Sequence, residues 1–185
     1  MAQVFLGIGS NTDREKHIRA GLKAIAKSFT WQQRSRIFRS ASVGFSGSDF
    51  YNLVVEVITN LSVTEVLAEC KRIEQENGRI PGSAKFSPRT LDIDVLLYDD
   101  VIREQQPQLP RGEILENAFV LWPLAEIAGH HLHPLLNVSY EQLWEQYQQT
   151  HKDSPQQLEP IKVNSMPQPV SAHAVRVKHR PGLYR

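Results

Sequence analysis

Asp92 and Asp94 stand one residue apart in the stretch Leu91-Asp92-Ile93-Asp94-Val95-Leu96. The aliphatic residues around them predict a strand. On a strand alternate side chains share a face, so the two carboxylates project together with Cα atoms roughly 6.5–7 Å apart. Leu91, Ile93, Val95 and Leu97 then take the opposite face and supply the packing. Two carboxylates with no neutralising partner in their own strand repel each other and need cations. Oxygen-only ligands suit Mg2+, which keeps several waters and completes its shell with substrate phosphates, and a carboxylate pair can hold two such ions in a phosphoryl-transfer site. From spacing alone, two solvated aspartates on an open sheet face fit as well. The neighbouring cations shift the balance. Arg79, Lys85 and Arg89 lie in the loop before the strand, and Lys71 and Arg72 on the preceding helix. Loop arginines are more often surface charges, but guanidinium groups clamp phosphate oxygens through paired hydrogen bonds, and phosphoryl transfer needs mainly positioning and charge stabilisation.

Several elements must position these groups. Val4 to Ile8 is an apolar run entering a turn at Gly9-Ser10-Asn11, a first strand. Thr12 and Glu15 have capping-box spacing, and Ile18, Leu22, Ile25 and Phe29 follow with helical period. Trp31 to Phe38 fits an edge strand, and Ser40 to Asp49 a loop. Phe50 to Asn60 is a strand with Leu53, Val55 and Val57 on one face and Val54, Glu56 and Ile58 on the other. Ser62 and Glu65 form a second capping box for a helix that buries Val63, Val66, Leu67, Cys70 and Ile73 and ends at Asn77-Gly78. After a long loop, Arg79 to Thr90, comes the strand Leu91 to Tyr98; Phe119 to Ala128 and Ser139 to Gln149 then predict two further helices. The order β-α-β-β-α-β predicts an α+β fold, a ferredoxin-like and mainly antiparallel sheet with helices packed on it.

The chain has 185 residues, 41% hydrophobic and 22% charged, with a net charge of +1, which excludes wholesale disorder and gives no global field that favours nucleic acid. A single cysteine, Cys70, excludes a disulfide framework or a cysteine zinc cage. No run has the apolar length of a membrane span, and Met1-Ala2-Gln3-Val4-Phe5 lacks the features of a signal peptide, so the expected compartment is the cytoplasm. Residues 1–150 read as one domain. Residues 151–185 read as a polar, proline-containing tail with little core of its own, basic at its end through Arg176, Lys178, Arg180 and Arg185. A monomer is expected.

Phe86-Ser87-Pro88-Arg89-Thr90-Leu91-Asp92-Ile93-Asp94 closely resembles the signature of the 6-hydroxymethyl-7,8-dihydropterin pyrophosphokinase family. Matching pieces are Gly7-Ile8-Gly9-Ser10-Asn11, Phe50-Tyr51-Asn52, Arg72-Ile73-Glu74, Gly78-Arg79 and Phe119-Val120-Leu121-Trp122-Pro123-Leu124, in order over about residues 3 to 148. The resemblance implies a ferredoxin-like fold and transfer of diphosphate from ATP to the hydroxymethyl oxygen of the pterin, releasing AMP. It implies that Asp92 and Asp94 bind two Mg2+ that bridge the ATP phosphates, that Arg79 and Arg89 steady the transferred diphosphate, and that Asp94 helps to accept the hydroxyl proton. Lys71, Glu74, Lys85 and Arg111 would belong to the nucleotide site. Asn52 would hydrogen-bond the pterin edge and Phe119 stack on its ring, with Ser40, Ala41, Val43 and Phe86 beside the substrate. Without that resemblance, Phe119 fits a core aromatic and Asn52 a strand-edge polar group.

This chain departs from the family's pattern at several places. Ser40-Ala41 stands for Thr-Pro, Phe86-Ser87 for Trp-Gly, Pro81 and Asn117 for arginines, Arg111 for a histidine and Lys71 for a glutamine. Alternatives are therefore a diverged paralogue acting on another pterin or small alcohol, or a non-catalytic ferredoxin-like binding module. Other features carry less. Gly7-Ile8-Gly9-Ser10-Asn11 is not followed by the Gly-Lys of a P-loop, His130, His131 and His133 lack metal-ligand spacing and fit a loop, and Cys70 fits a small core residue.

Overall fold

Alternating valine and isoleucine runs make the central strands, and 3.6-residue apolar stripes make the helices that cover them. The computed structural model describes residues 1–42, 47–79, 82 and 90–170. The elements are β1 (Ala2–Ser10), α1 (Arg14–Ser28), β2 (Thr30–Arg34), β3 (Ile37–Ser40), β4 (Phe50–Thr59), α2 (Val63–Glu76), β5 (Asp92–Tyr98), α3 (Glu113–Glu116), α4 (Ala118–Ala128), α5 (Tyr140–Thr150) and β6 (Leu158–Ile161). The strands form one sheet in the order β5-β1-β4-β3-β6, with β2 also paired to β4. All of these pairings are antiparallel. The expected single strand over Trp31 to Phe38 is broken into β2 and β3, which pair with successive stretches of β4. Ser35 sits at the break, where its hydroxyl accepts the Val54 amide (3.0 Å) and donates to the Arg36 carbonyl (2.7 Å).

Both faces of the sheet are covered. On the first, Val4, Leu6, Ile8, Leu53, Val55, Val57, Ile93 and Val95 pack against Ile18, Leu22 and Ile25 of α1 and Val66, Cys70 and Ile73 of α2. On the second, Phe5, Val54, Leu96 and Leu97 pack against α3, α4 and α5 through Ile114, Leu121, Leu124, Tyr140, Leu143 and Tyr147. Leu97 was expected beside Ile93 and Val95. The register of β1 against β5 shifts between Phe5 and Leu6, and this irregularity transfers Leu97 to the opposite face. Burial pushes the Cys70 thiol up to about 12, in keeping with an inert core residue.

The two expected capping boxes differ in outcome. At α2, the Ser62 hydroxyl accepts the Glu65 amide and the Glu65 carboxylate accepts the Ser62 amide. At α1 the box does not form: the N-cap is Asp13 in the left-handed region (φ 43°), with no side-chain cap. The Thr12 hydroxyl turns to Asn11 and the Thr12 carbonyl to His17, so local bonds displace the box.

The segment expected to be a tail from residue 151 adds to the body before its basic end. β6 lies on the edge of β3, with Ile37 opposite Ile161 and Ser40 opposite Leu158. Pro160 is tolerated there because an edge strand need not donate on its outer side. Met166 is buried in the first-face core, and the Asn164 and Pro167 carbonyls accept from Arg19 and Arg34. Met166→Ala is expected to lower unfolding free energy by about 2–5 kcal/mol, read from urea melts, as for other core methionines. Residues 171–185 lie outside the described residues.

His133 is 4% exposed, and its Nδ1 accepts the amides of both Leu135 and Leu136 at 3.2 Å. The expected loop reading holds for His130, His131 and His133, which lie in the connection between α4 and α5. Burial holds the His133 imidazole below its ordinary pKa of 6.5. The folded state therefore binds fewer protons than the unfolded state, so its stability contribution is complete above pH about 6.5 and is lost as pH falls through the lowered value. His133→Asn supplies an amide oxygen as acceptor and is expected to flatten the decline in urea midpoint between pH 7 and 5.

Candidate active site

The candidate groups meet on the second face, where β5, β1 and β4 run side by side. Register sets Asp92 opposite Gly9 and Asp94 opposite Gly7. The same glycines lie opposite Asn52 and Val54 on the other side, and Asn52 lies opposite Phe38 of β3. A row Asp92–Gly9–Asn52–Phe38 therefore crosses the sheet, next to a row Asp94–Gly7–Val54. Gly9 puts no side chain of its own between Asp92 and Asn52, whereas Leu96 covers Gly7. A Cβ on Gly9 would stand 3.0 Å from Asn52 Oδ1, and one on Gly7 3.3 Å from a Leu96 methyl. Sequence reasoning did not assign this role to Gly9. Its signal was present in two pairs of alternate residues, Gly7/Gly9 and Asp92/Asp94, on adjacent strands.

Each aspartate has a guanidinium beside it. Arg79 Nη1 donates to Asp92 Oδ1 at 2.6 Å. Arg111 Nη2 is 3.9 Å from Asp94 Oδ1, held by a bond from its Nε to the Val95 carbonyl (3.0 Å) and from its amide to the Leu96 carbonyl (2.9 Å). Packing around the strand and the like charge of Asp92 raise the Asp94 carboxyl well above the usual carboxylate range. With 46% of the Asp94 side chain open to water, the burial contribution is limited and repulsion from Asp92 remains. Two mutually repelling, accessible carboxylates are a donor set that fits a hard divalent cation.

Of the other expected residues, Glu74 is tied to this pair through the strand amide between them and through Arg79. Glu74 of α2 is 6% exposed; its Oε1 accepts the Ile93 amide at 2.7 Å and its Oε2 is 3.2 Å from Arg79 Nη1. Across Gly9, Asn52 Nδ2 donates to the Ser40 hydroxyl at 2.7 Å, and both residues are buried. Ala41 follows β3 and is exposed, and Phe119 is half-buried in the first turn of α4, a helix that packs on β4 and β3. Lys71 is exposed on α2. Arg72 does not join the site: it is bound to Glu69 and Glu76 on the outer face of its own helix. Val43, Lys85, Phe86 and Arg89 lie outside the described residues.

An acidic pair with a guanidinium beside each member, separated only by Gly9 from the Asn52 amide, suits the binding of a polyphosphate next to a small polar molecule. On an antiparallel sheet covered by helices, such a donor set suits a protein that transfers phosphoryl groups. The family model for 7,8-dihydro-6-hydroxymethylpterin-pyrophosphokinase matches residues 5–129, and the chain belongs to that family. A 2-amino-4-hydroxy-6-hydroxymethyldihydropteridine pyrophosphokinase of Aquifex aeolicus is 35% identical over 138 residues, 73% of this chain and 86% of that protein. A protein of the same name from Haemophilus influenzae is 32% identical over 134 residues, 70% of this chain and 83% of that one. A solved Plasmodium falciparum HPPK-DHPS chain superposes with a TM-score of 0.72 at 14% identity, covering 90% of this chain and 50% of that chain, a likeness of fold. No described helix is long and apolar enough to cross a membrane.

Proposed function

We propose that this protein transfers the diphosphate of ATP to the hydroxymethyl oxygen of 6-hydroxymethyl-7,8-dihydropterin and releases AMP. The observation that carries this reading is the row that sets Asp92, with Asp94 beside it, across Gly9 from Asn52. Asp92 and Asp94 would hold two Mg2+, which supply charge neutralisation for the triphosphate when bound. Arg79 and Arg111, with Arg89 and Lys85, would bind and orient the phosphate oxygens, and Lys71 would reach the nucleotide from α2. Asn52 and Ser40 would fix the polar edge of the pterin and Phe119 its face, with Ala41, Val43 and Phe86 along the same side.

In the reaction the hydroxymethyl oxygen forms a bond to the β-phosphorus, and the bond from that phosphorus to the oxygen kept by AMP breaks. Asp94 would take the hydroxyl proton. Residues 1–150 would carry the catalytic groups, with β6 and Met166 adding to their sheet and core, in a cytoplasmic monomer; cell fractionation and light scattering test the last two points. The activity is tested by chromatographic detection of AMP from ATP with the pterin. AMP that forms only with pterin present supports the assignment. Binding of ATP with Mg2+ but no turnover would point instead to a different acceptor alcohol.

A further inference from the structure

We infer that Glu74 is a positioning residue for this reaction, holding the strand amide between Asp92 and Asp94 while it draws Arg79 against Asp92, rather than a contact to the nucleotide. This rests on the function proposed above. Glu74 occupies the buried stripe of α2 together with Val66, Cys70 and Ile73, an apolar position where an acid needs a strong reason. At 6% exposure it presents almost no surface to a ligand. Its carboxylate points to β5, the edge strand of the sheet. The Ile93 amide donates to Oε1 at 2.7 Å, so the acid caps a backbone group on the strand's outer edge between the two aspartates.

Arg79 is bound to the same residue twice. Its amide donates to the Glu74 carbonyl at 3.2 Å, after the helix turns at Gly78 with φ 89°, and its Nη1 lies 3.2 Å from Glu74 Oε2 and 2.6 Å from Asp92. One buried carboxylate thereby sets the path of the strand that bears both acids and the position of the cation that faces them. An anion so close to Asp92 and Asp94 would also repel a triphosphate, which argues against direct contact with its phosphates.

The test uses the full chain with Glu74→Gln, Glu74→Ala, Arg79→Ala and the double variant Glu74→Gln/Arg79→Ala. Glutamine keeps an oxygen for the Ile93 amide and loses the attraction for Arg79. Glu74→Gln is expected to fold with native hydrogen-exchange protection at Ile93 and to lose about 10- to 100-fold in kcat, the usual cost of freeing a supporting group, with little change in KM for ATP. In the Arg79→Ala background the same change is expected to cost less than about twofold, because the two residues act as a unit. Glu74→Ala is expected to lose protection at Ile93. A rise in KM for ATP with kcat intact, or the full kcat loss in the Arg79→Ala background, overturns the inference. If the wild-type chain turns over no pterin, the function proposed above fails on its own. Exchange at Ile93 then still judges the strut, and unchanged protection in Glu74→Ala overturns it.

Discussion

Asp92→Ala and Asp94→Ala are each expected to lower AMP formation by about 10³-fold or more, since a lost transition-state partner commonly costs 10²–10³ and each carboxylate would also hold metal. Steady-state assays at saturating ATP and Mg2+ read this loss, and retention of more than a tenth of wild-type activity by both variants would remove the carboxylates from the mechanism. Stability should move the other way at Asp94. Burial, together with the like charge of Asp92 on the same face of β5, raises the Asp94 pKa. A carboxyl raised above its unfolded value favours the folded state while it is protonated, and that contribution disappears as pH rises through the raised value. Asp94→Asn is therefore expected to raise the melting temperature of the ligand-free protein at pH 8 while turnover collapses, the exchange of stability for activity often found at functional sites. Mg2+ with a non-hydrolysable ATP analogue should raise the melting temperature of the wild type and leave that of Asp92→Ala nearly unchanged.

Gly9→Val should fold and fail to turn over. Gly9 has no left-handed φ among the described glycines, so its extended backbone accepts a β-branched residue. The added Cβ would meet Asn52 Oδ1 at 3.0 Å, and the two methyl groups would fill the space between Asn52 and Asp92. Misplacing reacting groups by about 1 Å can cost 10²-fold, so kcat/KM for the pterin is expected to fall by at least that factor, while the crowding at Asn52 lowers unfolding free energy by about 1–3 kcal/mol, too little to unfold the chain. A Gly9→Val enzyme with normal kcat/KM would show that the substrate does not lie across this part of the sheet.

The period-two alternation around Asp92 was enough to predict the strand, its apolar inner face and the paired acids, because strand sidedness depends only on local spacing. The capping box at Ser62 was legible for the same reason. The face of Leu97 was not, because it depends on a register shift against β1, a strand that lies far away in sequence. The break at Ser35 and the edge strand β6 were hidden for related reasons: one rests on a hydroxyl that bonds to Val54, and the other carries a proline that masks its strand character. In the site, spacing marked the acids and the nearby cations. Asn52, Phe119 and Arg111 were reached only through the family resemblance, since their neighbours come from distant strands. Glu74 had a signal that went unused, a charged residue on an otherwise apolar helical stripe.

The tryptophans are divided between the two faces of the sheet. Trp31 belongs to the core under α1 and α2, whereas Trp122 of α4 stacks on Trp144 of α5 with ring centroids 5.2 Å apart and planes 14° from parallel. Indole emission can therefore be assigned to either layer by single Trp→Phe changes. If denaturant quenches the Trp31 signal and the paired signal at one midpoint, the two layers melt together; two midpoints would mean that the cover of helices α4 and α5 loosens while the opposite layer stays intact.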